Sequence, residues 1–306
     1  MSETTPALRY LVFDIESLAD GELISRIKYP GDSLAPEEAV ERYRQERLEK
    51  YGTEFIPYTY HVPISIVVAK VDAEFQLLDL VALDEPHFRP HVMTEHFWRG
   101  WQSYNMPTLV TFNGRGYDVP VLELAAFRYG ISVPAWFNLN EKSYDQCRNR
   151  YNLGAHLDLQ DVLTNFGATR FAGGLDLVAN LLGKPGKMEI AGHMVQDLHR
   201  EGQIERITDY CRCDVLDTYF VLLRVALLTG KLTRQQEQLL VQQTRNWLED
   251  QPNDSKICTE YMSQWGDWED PWQADAPSNS HAKTTSATEP PGSAEMPESA
   301  GSSGDD

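Results

Sequence analysis

Asp14 and Glu16 close the first apolar run of the chain, Asp118 follows a later one across a glycine-bearing turn, and Tyr210 precedes Asp214 by four residues. Side chains alternate along an extended strand, so positions i and i+2 point the same way and Asp14 and Glu16 can serve one site. Positions i and i+4 of a helix are neighbours one turn apart, which puts the Tyr210 phenol and the Asp214 carboxylate on a common face. Carboxylates are hard oxygen ligands suited to Mg²⁺ or Mn²⁺, and two such ions about 4 Å apart can stabilise both the attacking and the departing oxygen of a phosphodiester. Four acids and a phenol in this order therefore suit a metal-dependent phosphodiesterase. Tyr210 would orient the water through a hydrogen bond, because a phenol with a pKa near ~10 is a poor general base. The Asp-x-Glu pattern alone is common on protein surfaces, so the reading rests on the ordered set.

The elements that must position these groups follow from pattern and breakers. The run 9–14 is a β-rich segment carrying its first carboxylate at its end, where open α/β sheets place functional groups. A polar stretch at 18–60 is expected to be a surface insertion with one helix, which opens at Pro36 and runs without a breaker to Lys50. The runs 63–70 and 75–80 flank a short turn and read as antiparallel strands. A helix is expected over 94–104 and a strand over 108–113. A turn at Gly114 to Gly116 then hands over to a helix that starts at Asp118, with Pro120 in its first turn. Helices are expected over 157–166, 174–182, 204–228 and 232–248.

Composition limits what surrounds this core. The chain has 306 residues and a net charge of -19. Residues 251–306 hold 11 acids and 2 lysines, which accounts for -9 of that charge. Non-specific nucleic-acid binding is driven by Lys and Arg, so so acidic a chain must grip nucleic acid locally, at a strand end or along a single strand rather than around a duplex. Four cysteines in a chain of this length neither form a disulfide framework nor show zinc spacing, and a reducing cytoplasm is the expected setting. There is no basic leader and no apolar run of about 18 residues, so no membrane partner is expected. Residues 1–250 are assigned to one domain and 251–306 to an acidic, largely disordered tail. Within the tail Trp265, Trp268 and Trp272 mark a segment, 258–272, expected to dock on the body, and the tail is the expected contact for any protein partner.

Three segments together resemble a known group: Phe13-Asp-Ile-Glu16, Phe112-Asn-Gly-Arg-Gly-Tyr-Asp-Val-Pro-Val-Leu122 and Tyr210-Cys-Arg-Cys-Asp-Val-Leu-Asp-Thr-Tyr219. They look like the three motifs of DEDD-superfamily exonucleases in the tyrosine-bearing subclass, and in particular like the bacterial predicted 3′-5′ exonucleases related to the proofreading domain of family-B DNA polymerases. The resemblance spans about Leu8 to Leu228. It implies an α/β, ribonuclease-H-like exonuclease fold with a five-stranded mixed sheet flanked by helices. It also implies two divalent ions, Mg²⁺ or Mn²⁺, on Asp14, Glu16, Asp118 and Asp214, with Tyr210 orienting the water. The expected activity is hydrolysis of single-stranded DNA from its 3′ end to nucleoside monophosphates. The alternatives kept open are an enzyme of RNA ends or oligonucleotides, and a catalytically silent binding or scaffold protein.

Substrate contacts are expected at the turn after the 108–113 strand. Asn113 can donate to the terminal nucleotide and Tyr117 can pack on a base, whereas Phe112 belongs to an apolar strand. The absence of a Gly-Lys-Ser/Thr ending rules out a phosphate loop there. Lys184 and Lys187 flank Pro185-Gly186 in an acidic chain and, given the resemblance, are expected to touch substrate phosphates. Asp158 suits either a supporting role behind the metal ligands or a helix N-cap. The histidines lack metal spacing and are read as hydrogen-bonded or solvated side chains.

Overall fold

A computed structural model describes residues 7–186, 194–251, 256–266, 268 and 271–272. The first apolar run becomes strand β1 (Leu8–Ala19), which continues five residues beyond Asp14 instead of ending there. It persists because β2 (His61–Asp72) pairs with it antiparallel from Leu8 to Ala19. β3 (Leu77–Ala82) returns antiparallel to β2 after a turn in which the Asp72 carboxylate accepts the backbone N–H groups of Glu74 and Gln76. β4 (Thr108–Thr111) and β5 (His156–Asp158) add in parallel, giving the mixed five-stranded order β3-β2-β1-β4-β5.

Helices cover this sheet. In chain order they are α1 (Gly21–Lys28), α2 (Pro36–Tyr51), α3 (Pro90–Ser103), α4 (Asp118–Tyr129), α5 (Leu159–Leu163), α6 (Gly174–Leu181), α7 (Val195–Arg200), α8 (Ile204–Leu228), α9 (Arg234–Glu249) and α10 (Lys256–Ser263). The core lies between the sheet and these helices, with Phe97, Trp98, Trp101 and Trp136 buried together and α8 contributing Tyr219 and Phe220. The expected helix over 157–166 divides into β5 and α5. Its first residues, flanked by His156, form a buried three-residue strand whose apolar run carries no helical period.

The insertion holds two helices where one is expected. α1 is short, but Asp20 caps it by accepting the Leu23 N–H, and Ile24 is fully buried. Ile24, Tyr29, Ala39, Val40, Tyr43 and Ile56 form a hydrophobic cluster separate from the main core. The first compact unit, Met1–Trp268, runs past residue 250 and includes α10; of the 251–306 tail, residues 252–255, 267, 269–270 and 273–306 lie outside the described residues. No helix among the described residues is long and apolar enough to cross a membrane.

Candidate active site

β1 delivers the first pair of acids. Asp14, Ile15 and Glu16 stay in register opposite Val67, Ile66 and Ser65, so the strand is extended through both carboxylates and they share a face. On the other edge, pairing with β4 ends at Val12 opposite Val110. The chain leaves the sheet after Thr111, turns, and enters α4 at Asp118. The carboxylates thus sit just beyond the carboxyl ends of parallel strands, where open α/β sheets bind ligands.

The turn is built for close approach. A Cβ on Gly114 would come within 2.6 Å of the Thr111 side chain, and Asn113 takes a left-handed φ of 65°. The Asp158 carboxylate holds it from behind, accepting the backbone N–H groups of Asn113 and Arg115 at 2.9 Å each, and that of Gln160 at 3.0 Å as the N-cap of α5. Asp158 is therefore a clamp on the turn and a helix cap at once, and it lies outside the acid cluster described next.

Asp14, Glu16 and Asp214 present ligand oxygens that all lie within 4.8 Å of one another, on a cleft of about 640 Å³ that Asp118 also lines. Asp214 arrives from α8, and Tyr210, one turn earlier, is wedged among Ile64, Val195, Leu198 and Ile207. Enclosure and crowding show in the proton affinities. Burial, then Asp118, Asp214 and Glu16, raise the Asp14 pKa well above the carboxylate range. Burial lifts Asp118 to about 7 against the opposing pull of the backbone N–H groups of Asp118 and Ile15. The Tyr210 phenol is pushed far up by burial and then by Asp214, Glu16 and Asp14, which keeps it a neutral donor. Anionic oxygens this close call for a counter-cation, and an all-oxygen donor set with no sulfur or imidazole selects a hard divalent ion.

The chain matches, over residues 53–265, the family described as predicted 3′-5′ exonucleases related to the exonuclease domain of PolB. The chain belongs to this family. It is therefore a nuclease-type enzyme whose substrate is nucleic acid, and exonuclease domains of this kind use divalent metals. The mixed sheet flanked by helices agrees with the ribonuclease-H-like exonuclease fold. The match takes in Asp118, Tyr210 and Asp214 but begins after Asp14 and Glu16, so those two rest on geometry and on the motif itself. No curated protein matches the chain.

Within this exonuclease the remaining expected contacts separate. Asn113 and Tyr117 line the cleft. The Tyr117 hydroxyl is 2.7 Å from Ser17 Oγ and 2.8 Å from His61 Nδ1, and Ser17 Oγ is 3.0 Å from the same nitrogen. That triangle fixes the Tyr117 ring at the edge of the site, and burial holds His61 neutral by lowering its pKa to about 4. Lys184 is not at the cleft. It is buried, with Nζ 3.9 Å from the Trp265 ring centroid and 4.9 Å from that of Phe220, so its place is under the C-terminal segment. Lys187 lies outside the described residues.

Several groups at the site carry no signal in the sequence. Cys211, fully buried on α8, places Sγ 3.3 Å from the Asp14 carbonyl and 3.8 Å from Asp14 Oδ2, and burial raises its thiol pKa so that it donates rather than ionises. Arg47, Phe55, Pro57 and Tyr58 bring the insertion to the cleft wall. Only the three-dimensional fold joins them to the acids.

Proposed function

We propose that the protein is a metal-dependent 3′-5′ exonuclease that hydrolyses single-stranded DNA to nucleoside monophosphates, with Asp14, Glu16, Asp118 and Asp214 as ligands of two divalent ions, Mg²⁺ or Mn²⁺. The observation that supports this most is the convergence of three carboxylates from β1 and α8 within 4.8 Å, in a cleft bordered by the fourth. Bound divalent ions would supply Lewis-acid stabilisation of the phosphodiester oxygens and cancel the negative charge that otherwise repels a polyanion.

The chain's own groups divide the remaining work. β1 and α8 supply Asp14, Glu16 and Asp214, and Asp118 at the start of α4 lines the same cleft. Tyr210 stays protonated, so its part is to hold a water by hydrogen bonding rather than to accept its proton. Asn113 and Tyr117 at the cleft edge contact the terminal nucleotide. A cleft of about 640 Å³ suits a strand end rather than a duplex, and the relation to a DNA polymerase's exonuclease domain favours DNA over RNA.

The test is cleavage of matched 3′- and 5′-labelled single-stranded DNA and RNA by purified protein in Mn²⁺, Mg²⁺ and EDTA, with Asp14→Ala as control. Metal-dependent shortening from the 3′ end of DNA, lost in the control, is expected. Undiminished cleavage by Asp14→Ala rejects the ligand assignment, and faster cleavage of RNA moves the reading to an exoribonuclease.

A further inference from the structure

Part of the wall of the cleft that holds the acids comes from the insertion, and its residues are of a kind that binds nucleotides. Val40, Tyr43 and Arg47 follow one another along a single face of α2; the first two are buried in the insertion's own cluster, and Arg47 comes next, where that cluster gives way to the cleft. The chain then turns through Gly52, and neighbouring side chains part: Ile56 is 4% exposed in the cluster, while Phe55 is 55% exposed on the cleft.

An aromatic ring with that much exposure, held in place, suits stacking. The His61 ring lies 6.2 Å from Phe55 at 25°, and the Tyr117 ring 5.9 Å away at 52°, so Phe55 is braced by two rings that are themselves hydrogen-bonded. Arg47 donates Nε–H to the Phe55 carbonyl at 3.0 Å and rests on the Tyr51 ring at 4.4 Å. It forms no ion pair among the described residues, and it is the one cation among the described residues that line the cleft, facing four carboxylates in a chain of net charge -19. A cation placed on the cleft beside an exposed ring matches the alternation of phosphate and base along a single strand.

We infer that Phe55 stacks on a base of the bound single strand and that Arg47 holds a neighbouring phosphate, making the insertion a strand clamp. This rests on the nucleic-acid reading of the acid cluster. Arg47 precedes the matched family span and Phe55 lies near its beginning, so the clamp is read from this chain's own insertion.

The experiment is steady-state cleavage of single-stranded oligonucleotides by wild type, Phe55→Ala, Phe55→Trp and Arg47→Ala. The oligonucleotides carry an abasic site at each of the last few positions in turn. Phe55→Ala is expected to raise KM about tenfold with kcat little changed, and Phe55→Trp to restore it. For one abasic position the wild-type and Phe55→Ala values are expected to converge, because the base that stacks has been removed. Arg47→Ala should lower the slope of log KM against log salt by about 0.7, the contribution of one phosphate on a single strand, while Phe55→Ala leaves the slope alone. Unchanged KM in the variants, or a Phe55→Ala defect that persists at every abasic position, overturns the clamp and leaves the nuclease reading standing. Failure of the wild type to bind or cut any strand overturns both.

Discussion

Replacing a metal ligand is expected to make the metal-free protein more stable. In EDTA, the carboxylates of Asp14, Glu16 and Asp214 crowd within 4.8 Å with no cation between them. Two unit charges at such a separation repel by roughly 3 kcal/mol at an effective dielectric near 20. Proton uptake by Asp14, whose pKa is raised, relieves part of this, and small side-chain movements relieve more, leaving about 1–2 kcal/mol to be gained from Asp14→Asn, which keeps the shape and removes the charge. For a domain of this size each kcal/mol is worth roughly 2–4 °C, so the melting temperature in EDTA should rise by about 3–6 °C.

The same variant should lose the response to metal. Mn²⁺ at ten times its Kd stabilises the wild type by about 1.4 kcal/mol through mass action, and Asp14→Asn should show little of that gain. Differential scanning calorimetry at mildly alkaline pH, in EDTA and in a Mn²⁺ series, reads both effects without any turnover. A lower or unchanged melting temperature for Asp14→Asn in EDTA would refute the repulsion argument. An undiminished Mn²⁺ shift would refute Asp14 as a ligand.

Tyr210→Phe should reduce kcat by roughly 100-fold while leaving the Mn²⁺ shift in melting temperature intact, since the phenol is assigned to the water and not to the metal; full turnover by this variant removes that role. Tyr261, fully buried on α10, donates to Asp217 Oδ1 at 2.6 Å, so Tyr261→Phe should cost about 2 kcal/mol, read as a lowered denaturant midpoint, and a loss below a few tenths would show that this hydrogen bond does not anchor α10. His156 is buried beside Thr111 with its pKa lowered to about 3 from 6.5. Its contribution to stability is therefore complete above pH 6.5 and is lost as pH falls from there toward 3, amounting to about 2 kcal/mol at pH 5. A His156→Asn protein should decline less steeply over that range in acid unfolding.

What the sequence discloses here depends on how far apart the cooperating residues lie along one element. Asp14 with Glu16, and Tyr210 with Asp214, each need only the period of a single strand or helix; Asp14, Glu16 and Asp214 line one cleft, and the Tyr210 phenol interacts with Asp214. Asp118 could be placed because a strand, a glycine turn and a helix start follow one another directly. In the sequence Asp158 suits two roles, because its partners, Asn113 and Arg115, are more than forty residues away. β5 is not distinguishable from helix in the sequence because three buried residues show no period. Charge, the Pro185-Gly186 turn and the family resemblance all point Lys184 toward phosphate, and nothing local signals that Trp265 and Phe220 cover it.

An acidic nuclease must attract a polyanion with few cations, and the arrangement of this chain divides that task between places. At the chemical centre the charge deficit is itself functional: enclosed carboxylates that raise one another's pKa bind a divalent cation strongly because binding relieves their repulsion. Away from that centre, Lys184 is covered by an indole and Arg115 is paired with Asp161, so neither is a candidate for long-range capture. In the proposed clamp, contact with the strand is made by stacking, which does not depend on net charge, and by Arg47 beside Phe55. Affinity for long polymers should in consequence be weak and only shallowly dependent on salt, with selectivity arising from an unpaired end whose base can reach Phe55 while its last phosphodiester meets the acids.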